Sequence, residues 1–242
     1  MPWYVYALVD AIPSARPGHG LSRPLRIREI GGGFVVVERR ADVPPAEFGS
    51  LRKHQEIVMR LANAVPAILP VRFGTLLDDE ALDEALAERD QEIRDAFALV
   101  RHRVQFTWRR PAPRRSNKVH DTATHEGYSA LTTGAGSDSD ADLSGAGTGG
   151  PGAGAEYLRR VARAANPAPP PAFRTLRDTL HAFVIQEKFQ PALAGMPDTL
   201  YQLIEKNAQA RYLAMADAIV LTNPVFTVSG PWPPFAFAPE ML

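Results

Sequence analysis

Six histidines and no cysteine set the reactive repertoire of this 242-residue chain. Without thiols there is no disulfide, thiolate nucleophile, zinc ribbon or cysteine-ligated iron–sulfur cluster. The one dense His/carboxylate group is His120-Asp121…His125-Glu126. Histidines five residues apart do not share a helix face, and the segment around them cannot build the supporting shell that a metal site needs. It reads as polar linker. His54 falls on the apolar stripe of a predicted helix, where a half-buried histidine is commoner than a general base. No Gly-x-Ser-x-Gly elbow is present to partner it. His181 follows Asp178 by one helical turn, an exposed pair of a kind that contributes only about 0.3–0.5 kcal/mol. Gly31-Gly32-Gly33 lacks the Lys-Ser/Thr of a phosphate loop and joins two strand-like runs, so it reads as a hairpin. The expectation is no catalytic residue, no cofactor and no metal.

Two other segments are more specified than surface loops require. In Leu69-Pro70-Val71-Arg72-Phe73-Gly74-Thr75, an arginine sits between two apolar residues in a predicted strand. Arginine does not neutralise, so it must find a carboxylate or carbonyl partner, or lie exposed and offer its planar fork to another protein. In Gly230-Pro231-Trp232-Pro233-Pro234-Phe235-Ala236-Phe237, the prolines fix φ. A stiff extended strap follows, and a sheet ladder is not expected through it. Trp232 and Phe235 are expected to pack back onto a domain face, or to form a rigid aromatic contact surface. A basic cluster, Arg109-Arg110…Arg114-Arg115…Lys118, reads as a solvated linker start, with an acidic partner or nucleic acid as the alternative.

The elements that position these residues form two groups. Nine of the 18 glycines lie between Gly127 and Gly154, beside Ser137-Asp138-Ser139-Asp140. Such a stretch buries too little apolar surface to offset its ordering entropy. Residues 1–110 are therefore read as an N-terminal domain, 111–153 as a flexible linker or insertion, and 154–242 as a C-terminal domain. Before the linker the pattern predicts strands at Trp3–Val9, Leu25–Ile30, Phe34–Glu38 and Ala67–Phe73. A helix is predicted to open at Asp42, with Leu51, His54, Val58, Leu61 and Val65 inward. A second helix is expected to start at Asp78-Asp79-Glu80 and run through Leu82, Leu86, Ile93, Phe97 and Val100. Alternation at Val104, Phe106 and Trp108 predicts a last strand with one solvated face, in a sheet with its helices on one side. After the linker, helices are predicted at 156–166, 172–182 and 207–222. Strands are predicted at 183–189, 199–205 and 225–229. The fold class is α+β: two small mixed domains, the C-terminal one ferredoxin-like and ending in a Pro/aromatic strap.

Composition bounds the function. Lys+Arg and Asp+Glu both number 27, so no global field favours nucleic acid or an anionic membrane. No apolar run approaches the roughly 20 residues of a membrane span. No secretion signal is read at the start, and the expected location is cytoplasmic.

Several segments together resemble the gas vesicle protein F / gas vesicle protein L (GvpL/GvpF) family. They are Trp3-Tyr4-Val5-Tyr6-Ala7-Leu8-Val9, the His54 helix, Leu69–Thr75 with its acidic helix, Glu156-Tyr157-Leu158, and Gly230–Phe235. The resemblance implies two α+β domains and a role in forming gas vesicles, protein-walled organelles that confer buoyancy. It implies a non-enzymatic accessory protein that contacts the small shell protein and other accessory proteins, located in the cytoplasm or at the vesicle. Motif or partner-contact candidates are Pro70, Arg72, Phe73, Gly74, Gly230, Pro231, Trp232, Pro233, Pro234 and Phe235. Two alternatives stay open: a divergent paralogue acting as a protein- or nucleic-acid-binding module, and an enzyme on a ferredoxin-like scaffold using His54 or His181.

Overall fold

The computed structural model describes residues 1–14, 16–111, 167–193 and 196–239. The His120–Glu126 group, Arg114, Arg115, Lys118, the Gly-rich stretch and the helix expected at 156–166 lie outside them. The described residues build two antiparallel sheets with helices, an α+β fold.

The first sheet runs β2 (Arg26–Ile30), β3 (Gly33–Arg39), β1 (Trp3–Val9), β4 (Ile68–Pro70), with β5 (Leu76–Leu77) also pairing with β1. Gly31 and Gly32 form a two-residue hairpin loop closed by the Ile30–Gly33 pair. A Cβ on Gly33 would lie 2.6 Å from the Val9 carbonyl oxygen, so only glycine lets the hairpin close there. Every residue of β1 is buried, as an aromatic and β-branched central strand requires. A bulge between Val5 and Ala7 shifts its alternation. Trp3, Val5 and Leu8 meet one core, and Tyr4, Tyr6, Ala7 and Val9 the other.

Helices cover both faces, not one. α1 (Phe48–Ala64) packs Ile57, Val58 and Leu61 against the Tyr4/Tyr6 face. α2 (Asp79–Ala87) and α3 (Asp90–Val100) pack Leu82, Leu86, Ile93 and Phe97 against the Trp3/Val5 face. α1 begins at Phe48 rather than Asp42. Pro44 and Pro45 disfavour helical φ/ψ in the residues before them, and Glu47 is still extended. Leu51, assigned to its buried stripe, is exposed. The acidic helix is two helices that break at Glu88 and Arg89, where Asp90 and Glu92 supply a second acidic first turn. Asp78 caps α2 by accepting the Ala81 N–H at 2.8 Å.

The second sheet runs β7 (Val184–Gln190), β8 (Asp198–Glu205), β6 (Arg103–Arg110), β9 (Thr227–Trp232). With α4 (Arg174–Leu180) before β7 and α5 (Gln209–Thr222) after β8, β6 to β9 follow the β-α-β-β-α-β order of a ferredoxin-like unit. Its first strand is β6, not a strand of the N-terminal sheet as the alternation at Val104, Phe106 and Trp108 suggests. The expected boundary at residue 110 therefore follows a strand of the second sheet. Nor does β6 have a solvated face. Phe106 and Trp108 pack under α4 and α5, while Gln105 and Thr107 are buried on the opposite side. On that opposite face Leu203 and Phe237 join the core of the first sheet and its α2 and α3.

Candidate interaction sites

The Leu69–Thr75 segment crosses the edge of β1. Pro70 ends β4 opposite Ala7 and is buried. The chain then leaves the ladder in a turn. Val71 N–H donates to the Tyr6 carbonyl at 3.0 Å, and Thr75 Oγ1 donates to the Arg72 carbonyl at 2.9 Å. Gly74 has φ +93° and donates its N–H to Tyr4 Oη at 3.2 Å. A side chain at Gly74 would strain that left-handed backbone. The turn carries Arg72 outward, where it is exposed, and leaves Phe73 half-buried against His54 and Tyr4. Val43, whose Cγ1 lies 3.5 Å from a Cβ built on Gly74, is exposed beside it.

His54 is sealed beneath that turn. Its ring stacks on Tyr6, with centroids 5.3 Å apart, and meets Tyr4 and Phe73 edge-on. Nδ1 shares a 3.0 Å hydrogen bond with Tyr4 Oη, and Nε2 faces the Val71 backbone outside good hydrogen-bond geometry. Burial pushes the imidazole pKa down to about 4, so the ring is neutral at physiological pH. His181 bonds through Nδ1 to the backbone carbonyl of Asp178, not to its carboxylate.

The Gly230–Phe237 segment joins the second sheet instead of lying across it. Trp232 pairs with Gln105, and a register shift between Gln105 and Thr107 accommodates the intervening Gly230 and Pro231. The ladder tolerates proline here because β9 is an edge strand. Gly230 has φ +139°, and a Cβ there would lie 2.8 Å from the Gln105 carbonyl oxygen. Pro233, Pro234 and Phe237 are buried, whereas Phe235 is 38% exposed. Phe237, not Phe235, is thus the aromatic that packs inward. The buried Gln105 amide holds the strap: Oε1 accepts the Ala236 N–H at 2.8 Å, while Nε2 donates to Thr107 Oγ1. Trp232 is half-buried and donates Nε1–H to Ser229 Oγ at 3.2 Å.

Three buried polar groups have little sequence signal. Glu38 is fully buried and accepts from Tyr6 Oη at 2.6 Å, Ser22 Oγ at 2.6 Å, and the backbone N–H groups of Leu21, Ser22 and Arg23. Burial works to raise its pKa, but the donors from Ser22, Tyr6 and Leu21 outweigh it and hold the carboxyl below the usual range. Glu38 thereby ties the 17–25 loop to the sheet. Trp108 Nε1–H donates to Tyr212 Oη at 2.7 Å, Tyr212 Oη donates to Gln202, and Gln202 donates to Glu187 at 2.7 Å. Asp198 accepts from Arg110 at 2.6 Å and from the Ala192 N–H at 3.0 Å. Their only sequence signal is a polar residue inside a strand pattern, as in Val37-Glu38-Arg39.

Arg110 is therefore held by Asp198, and Arg109 donates to Ser229 Oγ at 3.3 Å. Both described members of the basic cluster belong to the second sheet's own bonding. Among the described residues no group of three His, Asp or Glu is placed to hold a metal, and no helix is long and apolar enough to cross a membrane.

Fold and sites together define a class: a two-sheet α+β protein whose motif segments are built into sheet edges and present Arg72, Trp232 and Phe235 at or near the surface. The chain matches the family described as gas vesicle synthesis protein GvpL/GvpF over residues 2–239, and it belongs to that family. It is 26% identical to gas vesicle protein L2 of Halobacterium salinarum over 98% of this chain and 91% of that protein. In fold it resembles the crystal structure of gas vesicle protein GvpF from an Anabaena species. The TM-score is 0.66 at 13% identity, covering 98% of this chain and 96% of the other. The GvpF structure from Microcystis aeruginosa matches with a TM-score of 0.65 at 12% identity, covering 98% and 99%. Membership associates the chain with gas vesicle formation.

Proposed function

We propose that the protein is a non-enzymatic accessory factor of gas vesicle assembly. In this reading it works in the cytoplasm, where it binds the small shell protein and other accessory proteins. It keeps the apolar segments of the shell protein from aggregating until the growing wall takes them up. The family match over residues 2–239, which spans both motif segments, carries the reading. The geometry supports a binding role. Arg72 and Phe235 are exposed on hydrogen-bonded turns, and Val43 adds exposed apolar surface beside Gly74. Rigid presentation lowers the ordering cost of association. The enzyme alternative loses support at His54, whose imidazole is buried among three aromatic rings. The nucleic-acid alternative loses support at Arg109 and Arg110, both bonded within the sheet.

The test is genetic. Deleting the gene from a host that makes gas vesicles is expected to abolish or sharply reduce vesicles seen by electron microscopy and flotation, with full restoration by the wild-type gene. Normal vesicle number and shape in the deletion strain would contradict the assembly role.

A further inference from the structure

Between the end of α1 and the Pro231–Pro234 edge lies a cavity of about 170 Å³. Cavities of roughly 150 Å³ hold a benzene-sized group. Met59, Val65, Ile68, Val104 and Trp232 supply apolar wall. The charged lining residues are Arg103 and Lys206, with no aspartate or glutamate, and Asn63, His102 and Gln209 add neutral polar wall. Arg103 is paired with Glu205 at 3.0 Å. Lys206 is exposed, and its ammonium has no carboxylate within ion-pair distance among the described residues. The rim is rigid. His102 stands at φ +57°, its N–H donating to the Pro66 carbonyl and its own carbonyl accepting from Lys206 N–H, both at 2.8 Å. An apolar hollow the size of one side chain, beside an ammonium without a counterion among the described residues, is complementary to an apolar group with a carboxylate nearby.

We propose that this cavity is the docking site for an acidic amphipathic helix of a partner protein. One Leu-, Ile- or Phe-sized anchor enters against Trp232, and a carboxylate three or four residues along meets Lys206. The proposal rests on the reading of the chain as a binding protein and names where one contact is made. It gives Trp232 a role that the Gly230–Phe235 motif alone does not define: the wall against which the anchor packs.

Two fluorescently labelled 16-residue helical peptides test it on the full chain by anisotropy. One carries a leucine stripe flanked by glutamates, and the other the same stripe flanked by lysines. The wild type is expected to bind the Leu/Glu peptide at least roughly tenfold more tightly than the Leu/Lys peptide. Lys206→Glu, at an exposed position, is expected to erase that preference, and Ala62→Phe, which fills the cavity, to weaken both peptides. Circular dichroism confirms that each variant is folded, and the smaller Ala62→Leu serves if Ala62→Phe does not fold. Equal binding of the two peptides, or an unchanged preference in Lys206→Glu, overturns the proposal. So does competition by N-acetylleucine at the affinity of the peptide, which would mark a small-acid site. Self-association of the wild type that Lys206→Glu abolishes, read by sedimentation, overturns it in favour of a second copy. Failure of the chain to capture shell protein would contradict the assembly reading and leave the peptide result standing.

Discussion

The Glu38 carboxylate and the His54 imidazole are both buried at the first sheet, and they give separate tests of acid stability in two pH windows. Glu38 accepts five hydrogen bonds, so Glu38→Gln removes a buried charge and turns an N–H pair toward donors. The expected loss is about 3 kcal/mol, read by urea unfolding at pH 7. Its folded pKa lies below that of the unfolded chain. Its contribution is therefore complete above about pH 4.3 and fades as pH falls through the folded value. His54 acts in a higher window. Its pKa falls from 6.5 to about 4 on folding, so the unfolded chain takes up the proton first. Stability is complete above pH 6.5 and declines as pH drops toward 4, by about 3 kcal/mol in total. His54→Phe is expected to flatten the unfolding free energy between pH 6.5 and 4.5, and an unchanged slope there would contradict the burial assigned to it. The helical stripe placed His54 inside from spacing alone. Glu38 was not legible, because a glutamate at a strand end looks solvated until a distant loop folds its N–H groups onto it.

Among the elements, β6 and β9 show where periodicity fell short. Alternating apolar residues in Val104-Gln105-Phe106-Thr107-Trp108 suggested one wet face. Gln105 and Thr107 are instead buried, and Gln105 bonds to Thr107 and to the incoming strap. Polar residues in a strand report solvent only when nothing supplies their hydrogen bonds. The prolines of the strap argued against a ladder, but β9 is an edge strand and its register shift absorbs them. Gly230→Ala puts a Cβ against the Gln105 carbonyl and Phe106 at a φ that L-residues avoid. The expected destabilisation is about 2 kcal/mol or more, measured as a lower urea midpoint. Gly74→Ala strains a left-handed turn with more open space around it and is expected to cost less, about 1 kcal/mol. Cutting the chain before Gly230 removes part of β9 and the buried Phe237, so it unsettles the core as well as any contact. A point substitution at the exposed Lys206 disturbs the core less.

For the whole molecule, the fold class and the family were legible because short, strongly patterned segments recur in order along the chain: the Trp3–Val9 strand, Pro-Val-Arg-Phe-Gly-Thr, and Gly-Pro-Trp-Pro-Pro-Phe. What patterning could not supply was which strand joins which sheet. β6 precedes the Gly-rich stretch in sequence yet is the first strand of the second sheet, a long-range pairing that no local signal encodes. That pairing makes the two sheets one frame, with Leu203 and Phe237 completing the core under α2 and α3. Such a frame suits a protein that presents fixed contacts, and the central claim is that one of its partners is the gas vesicle shell protein. Arg72→Ala, at an exposed position on the turn after β4, is expected to lower stability and to weaken capture several-fold, with capture read on the folded fraction. The most direct measurement is co-expression of the full chain, tagged, with the small shell protein of the same host, followed by affinity capture from the soluble fraction. The account predicts that shell protein is retained in soluble form and co-purifies with the wild type. A folded, soluble chain that captures no shell protein, while all of the shell protein is found in the pellet, would contradict it.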